Sequence, residues 1–390
     1  MPESNPALTL ALAMCFGILV QVISRHIKMP GIVLLLGVGI LLGPDMLGLI
    51  HPASLGKAMH MIVGFAVAVI LFEGGMNLRL NHIKREQHVI RQLITVGALV
   101  TAIGGVISSK LIIGWDWRNS ILFGVLIIVT GPTVITPLLK RLRFRRSVST
   151  VLEAEGVLLD AIGAVLAVVV LEVALSPSGL SFIKGFFHII SRLLSGVIFG
   201  AAGGLGLALL LRIRRFIPES LENVFMLSMV FALFQISNTM SAESGVVAVT
   251  IAGLVVGNTK TAVRRELRDF EEEMTVLLIG MLFILLAADV QIVKLTSLGW
   301  RGISLVLVIS FILRPLAVFA GTWGSELNLK QKTLLSWIAP RGIVAAAVAS
   351  LFSMELEAHG FDGTQLQAMV FLLIILTVLQ AGLTGGVTAS

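Results

Sequence analysis

The sequence predicts an all-α integral membrane protein of about thirteen transmembrane helices, on three observations. Apolar residues gather in runs long enough to cross a bilayer. Basic residues alternate between rich and poor loops. Two mid-run Gly/Pro breaks recur seven spans apart. Of the 390 residues, 56% are hydrophobic and only 13% charged, about half the charge of an ordinary soluble domain. Runs of about 17 to 25 apolar residues match a hydrocarbon layer of ~30 Å. The net charge of +7 does not imply nucleic acid, because the basic residues sit in short loops between apolar runs, as membrane topology dictates.

The spans are expected at roughly 7–24, 31–50, 59–76, 90–110, 119–139, 149–173, 183–211, 220–237, 242–258, 274–290, 299–320, 333–352 and 365–387. The fourth is the weakest by hydropathy. The seventh is long and carries His188 and Arg192, so part of it is expected at the interface. The N-terminal stretch Met1 to Ala7 lacks the basic region of a cleaved signal peptide, so the first run reads as a retained span. The single cysteine, Cys15, lies inside it and reads as a small apolar filler; no disulfide within the chain can form. Alternate loops hold twenty and six Lys and Arg residues. Positive charge marks the cytoplasmic side, and an odd span count then puts the N-terminus outside and the C-terminus in the cytoplasm, in a multi-pass cell (inner) membrane protein.

Arg192, Arg314 and Arg341 remain inside spans, where charge is costly and marks functional candidates. Asp160 lies about 11 residues into span 6, near the middle of the bilayer, with no basic residue four positions away on its helix. A carboxylate placed there takes up a proton or binds a cation. Glu155, five residues earlier, points about 140° away, and Arg314 of span 11 is its natural partner, in an ion pair read as structural or gating ahead of the alternative that Glu155 binds the ion or proton directly. Glu73 ends span 3 near the cytoplasmic face, where it can line an inner vestibule or sit at the interface. Glu153, Glu172, Glu243 and Asp289 lie near span ends and read as solvated.

Span 5 carries Thr130-Gly131-Pro132-Thr133 at its centre, and span 12 carries Pro340-Arg341-Gly342. Proline removes a backbone donor and glycine adds freedom, so both helices should unwind there. The freed carbonyls and the Thr130 and Thr133 hydroxyls can then serve an ion. An offset of seven spans makes the two segments antiparallel, the arrangement of inverted repeats with a binding site at their broken helices. Arg341 is expected to offset the negative dipole ends of the half-helices. These features point to a secondary transporter, with a cation channel or gated pore as the alternative. No Gly-x-Ser-x-Gly or His-Glu-x-x-His occurs, so neither an enzyme nor a cofactor is expected.

At Leu71-Phe-Glu-Gly-Gly-Met-Asn-Leu78, Thr130-Gly-Pro132, Leu152-Glu-Ala-Glu-Gly-Val-Leu-Leu-Asp160, Glu243-Ser-Gly-Val-Val-Ala-Val, Ala252-Gly-Leu-Val-Val-Gly-Asn258, Arg314-Pro315 and Pro340-Arg-Gly-Ile-Val344 the chain resembles the sodium/proton exchanger (NhaP-like) family of monovalent cation/proton antiporters, over nearly its whole length. The resemblance implies a homodimer in which a dimerisation bundle carries a mobile core, here about 90–173 and 299–387, within one membrane transporter domain, 1–390. It implies crossed, broken spans 5 and 12 beside Asp160 as the shared site for H+ and a monovalent cation, Na+ or K+, exchanged one for one. It implies that Glu155 pairs with Arg314, that Glu73 belongs to a cytoplasmic funnel, and that Arg341 is the arginine of the second broken helix. The chain departs from the family's pattern in three places. Leu159-Asp160 replaces Asn-Asp, Gly131 replaces the Asp of Thr-Asp-Pro, and Gly156 replaces the Ser of Glu-Ser. Fewer polar ligands leave Asp160 with backbone carbonyls, Thr130 and water, a looser cage compatible with a larger ion such as potassium.

Overall fold

The computed structural model describes residues 5–27, 29–131, 146–175, 179–212, 217–218, 221–259, 265–338 and 341–388. Among these residues it has sixteen α-helices and no strand. In chain order they are α1 Pro6–Ile27, α2 Gly31–Leu42, α3 Lys57–Asn77, α4 Leu80–Arg85, α5 Gln87–Ile112, α6 Trp117–Leu126, α7 Arg146–Leu175 and α8 Gly179–Arg212. There follow α9 Glu222–Met240, α10 Ser244–Asn258, α11 Arg265–Ala288, α12 Ile292–Ser297, α13 Gly299–Gly321, α14 Leu329–Trp337, α15 Ile343–Ala358 and α16 Thr364–Thr388.

Each of the thirteen predicted segments carries a helix, and eight helices are long and apolar enough to cross a membrane by themselves: α1, α3, α5, α7, α8, α9, α13 and α16. The others fall short for visible reasons. In α2 the helix ends at Leu42 instead of running to 50, because Gly43-Pro44 follows and the proline cannot continue it. The first turns of α11 hold Glu271, Glu272 and Glu273, so only its remaining part is apolar. Span 12 is divided between α14 and α15. Span 5 is helical in α6 up to Leu126; its second half, with Pro132 and Thr133, lies outside the described residues, as does Pro340.

With lipid around them, helices associate through close packing rather than by escaping water, and small residues let backbones touch. Along α10, Gly253 packs against the Phe72 carbonyl and Gly257 against that of Met76, both on α3. On the opposite side of α10, the α8 glycines Gly196, Gly200 and Gly204 meet Ser244, Ala248 and Ala252. Gly17 of α1 rests on Gly280 of α11 in the same way.

Two helices depart from α geometry over one turn, α5 at Leu93–Gly97 and α13 at Ile309–Leu313, both π-helical. In α13 the cause is Pro315, which lacks the N–H that the Phe311 carbonyl would accept and whose ring crowds that carbonyl. In α5 the Thr95 hydroxyl donates to the Arg91 carbonyl at 2.7 Å, competing with the helical ladder. These helices occupy spans 4 and 11, again seven apart.

Candidate ion-binding site

Asp160 sits halfway along α7, fourteen residues from Arg146, or about 21 Å at ~1.5 Å per residue. Its side chain is completely buried, and neither carboxylate oxygen has a hydrogen-bond partner. Buried polar groups are nearly always paired, so each orphan needs a reason.

The first break lies against this part of α7. After Leu126 the chain tightens into i to i+3 turns, with Ile128 N–H donating to the Val125 carbonyl at 3.1 Å and Val129 N–H to that of Leu126 at 3.2 Å. It then runs without helical structure through Val129, Thr130 and Gly131. Gly163, one turn beyond Asp160 and on the same helix face, packs on Val129, leaving a Cβ there only 2.8 Å from the valine Cγ2. The Thr130 hydroxyl is buried and has no partner. The second break meets the first: a Cβ on Gly342 would overlap the Cα of Gly131. Only glycine at 342 permits this approach.

Glu155 and Arg314 form the expected pair, as a two-pronged fork. Arg314 Nη1 donates to Glu155 Oε1 at 2.5 Å and Nη2 to Oε2 at 2.9 Å, both side chains being buried. The fork occupies both oxygens of Glu155, whose carboxylate is thereby committed to arginine. Arg314 also donates to the Leu335 carbonyl, from Nε at 3.3 Å, and to the Ile338 carbonyl, from Nη2 at 3.2 Å. These carbonyls end α14, where a helix leaves its last acceptors unsatisfied. The role expected of Arg341, compensating the negative end of a half-helix, is therefore filled at α14 by Arg314. Arg341 instead precedes the N-terminus of α15, buried, with its Nε unpartnered.

Glu73 is half-buried one turn before the end of α3 and accepts from Asn77 Nδ2 at 2.9 Å. It lies at the end of the molecule where α11 begins, apart from the breaks.

A cavity of about 690 Å³ opens among α3, α7, α9, α10, α11, α15 and α16. Its walls are mainly apolar, with the carboxylates of Glu243, Asp289 and Glu357 among them. It reaches Ala164, one turn past Asp160, and Val344, two residues past Gly342, but stops short of Asp160 itself. Asp289 accepts from Gln367 Nε2 at 3.0 Å, tying α11 to α16.

Three charged groups that the sequence reading left as solvated or unassigned acquire partners. Arg192 of α8 is buried and its Nη2 donates to Glu172 Oε1 of α7 at 2.8 Å, with His188 Nδ1 3.7 Å from Oε2. Glu243 stands at the N-cap position of α10 with a left-handed φ of 62° and no side-chain cap hydrogen bond, attracted by Arg192 and repelled by Glu172. The signal for the first pair was available, since an arginine inside a span needs a counter-charge within reach.

Asp160 and Thr130 thus supply hard oxygen acceptors with free lone pairs and no fixed counter-charge, beside two backbone breaks. Both donors are hard oxygens, which suit a singly charged hard cation or a proton.

The transmembrane sodium/hydrogen exchanger family model matches residues 10–389. The chain belongs to the sodium/hydrogen exchanger family. The chain is 29% identical over 388 residues to the K(+)/H(+) antiporter NhaP2 of Shewanella oneidensis, a match covering 95% of the chain and 64% of that protein. It therefore spans about two-thirds of that relative's length. It is 26% identical over 364 residues to Na(+)/H(+) antiporter 1 of Methanocaldococcus jannaschii, covering 89% of the chain and 83% of that protein. Its fold is similar to that of the sodium proton antiporter MjNhaP1 from M. jannaschii, with a TM-score of 0.82 at 24% identity over 97% of this chain and 96% of the other. The chain is a multi-pass membrane protein, all-helical among the described residues.

Proposed function

We propose that this exchanger is a secondary antiporter in which a monovalent cation, Na+ or K+, and H+ compete for Asp160. One observation carries the reading: a fully buried carboxylate at mid-helix with both oxygens unpartnered, on a helix that packs at Gly163 against a break whose Thr130 hydroxyl is also unpartnered and which meets the second break at Gly342. A carboxylate without a counter-charge in that setting is not stable as a bare anion. It carries either a proton or a cation, and exchange follows if the loaded site is exposed to the two sides in turn. Glu155 and Arg314 hold α7 to the end of α14 and act in positioning. Thr130, Thr133 and freed backbone carbonyls around Gly131, Pro132, Pro340 and Gly342 complete the cation's shell.

By the distribution of Lys and Arg, the cavity above Ala164 faces outward, the N-terminus is outside, the C-terminus is cytoplasmic, and the protein resides in the cell (inner) membrane. Its acidic lining draws cations toward the site. Glu73 faces the opposite, cytoplasmic side. The glycine contacts that join α3, α8 and α10, and α1 to α11, support a fixed bundle that also dimerises, with α5–α7 and α13–α16 as the moving core. The relatives named as antiporters favour exchange over a channel.

The test is proton flux in proteoliposomes driven by Na+ or K+ gradients. Asp160→Asn is expected to abolish coupled flux while the protein remains folded; coupled exchange that survives the substitution removes Asp160 from the mechanism. Current far above carrier turnover would favour the pore.

A further inference from the structure

A second carboxylate shares the peculiarities of Asp160. Glu271 of α11 is wholly buried, and neither Oε1 nor Oε2 has a hydrogen-bond partner. Thr275, one helical turn along the same face, is buried too, and its Oγ1 is equally unpartnered. Among the described residues Asp160 and Glu271 are the two carboxylates buried with both oxygens unsatisfied, and each is attended by a buried threonine hydroxyl without a partner. Glu73 of α3, which packs on α11, acts on Glu271 electrostatically.

Asp160 and Glu271 lie at different depths. Asp160 is about 21 Å inside α7, whereas Glu271 is six residues from the first residue of α11, about 9 Å at the same rise. Nothing in the Asp160 site accounts for orphan oxygens on α11.

We propose that Glu271, Thr275 and Glu73 form a second site, nearer the end of the molecule where α3 finishes and α11 begins, that holds one proton or one monovalent cation. A wholly buried carboxylate with both oxygens unpartnered, acted on by the charge of a second carboxylate, does not stay charged and unaccompanied. A shared proton relieves this, and so does a singly charged cation held by carboxylate and hydroxyl oxygens. The donor set is oxygen only, which excludes soft transition metals. Other charged groups at this end are Arg25 and His26 closing α1, Arg79, His82, Lys84 and Arg85 directly after α3, Glu222 opening α9, and Asp269, Glu272 and Glu273 on α11 itself. Asp269 and Glu272 have interactions of their own. The inference stands whether or not Asp160 carries the exchange.

The full chain is reconstituted in lipid, and Na+ or K+ is added against choline while carboxyl bands are followed by infrared difference spectroscopy. In Asp160→Asn protein, adding the cation is still expected to remove a protonated-carboxyl band and raise a carboxylate band, and Asp160→Asn/Glu271→Gln is expected to abolish both. A silent Asp160→Asn protein, or an unchanged response in the double variant, overturns the proposal. Should the double variant fail to fold, Thr275→Val in the Asp160→Asn background supplies the answer. Loss of one hydroxyl ligand is expected to raise the half-saturating cation concentration about three- to ten-fold, and an unchanged value overturns the site.

Discussion

Replacing Arg314 by methionine removes two things at once, and their sizes can be separated. Its fork to Glu155 is buried on both sides, and breaking such a pair from one side costs about 3–5 kcal/mol, because the other charge is left uncompensated. The same guanidinium also satisfies the Leu335 and Ile338 carbonyls, each worth about 1–3 kcal/mol when a buried acceptor is orphaned. Arg314→Met should therefore lower the melting temperature in detergent by on the order of 5–10 °C for a chain of this size. Glu155→Gln leaves the carbonyl bonds in place and should cost less. Arg314→Met/Glu155→Leu deletes both charges, which recovers the ion-pair portion but not the carbonyl portion. The expected order of melting is wild type, then Glu155→Gln and the double variant, then Arg314→Met lowest. A double variant that melts at or below Arg314→Met would refute the reasoning, since it would mean that the stranded glutamate contributes nothing to the loss.

Gly342→Ala should abolish exchange and destabilise by at least the ~1–3 kcal/mol of ordinary overpacking, because the new methyl meets Gly131 backbone that cannot rotate away; Gly37→Ala, with open space around it, is the control that should melt like wild type. Thr130→Val should leave melting unchanged, since the hydroxyl bonds to nothing in the protein, yet weaken apparent cation affinity about three- to ten-fold in flux assays. In the loop before α16, hydrogen bonds from Lys294 and then Thr364 hold the Asp362 carboxyl below its ordinary range. The folded form thus binds protons less readily than the unfolded chain. The tie from α12 is intact through neutral pH and lost as pH falls through that depressed value. Protection of the Ile292–Ser297 amides, measured against their intrinsic exchange rate at each pH, should fall on acidification, and Asp362→Asn should remove the pH step.

The parts legible in sequence were those set by local pattern. Run length located the helices, the depth of Asp160 followed from counting, and the Glu155–Arg314 pair followed from helical angle plus the scarcity of buried counter-charges. The breaks were readable because Gly131-Pro132 and Pro340-Arg341-Gly342 carry their own backbone chemistry. Glu271 was not, because Glu271-Glu272-Glu273 looks like a solvated run at the mouth of a span. Burying one of the three depends on α3 packing beside it, a long-range fact that hydropathy does not contain. Only the Glu271/Thr275 spacing hinted at it. Arg314's second task was hidden for the same reason: the carbonyls it caps belong to α14, twenty-one residues or more further along. The Glu172–Arg192 pair joins two helices whose mutual rotation the sequence does not fix.

The π turn just before Arg314 has a phase consequence. One wide turn lodges a surplus residue in the helix, so everything downstream is swung by about 100° relative to an uninterrupted α-helix. Tightening that turn to ordinary α geometry with no residue removed would therefore steer the guanidinium away from α7. A point deletion within Ile309–Leu313 would instead take out the surplus and leave the arginine on its present face, so α13 should tolerate the loss of a residue there better than the loss of the wide turn.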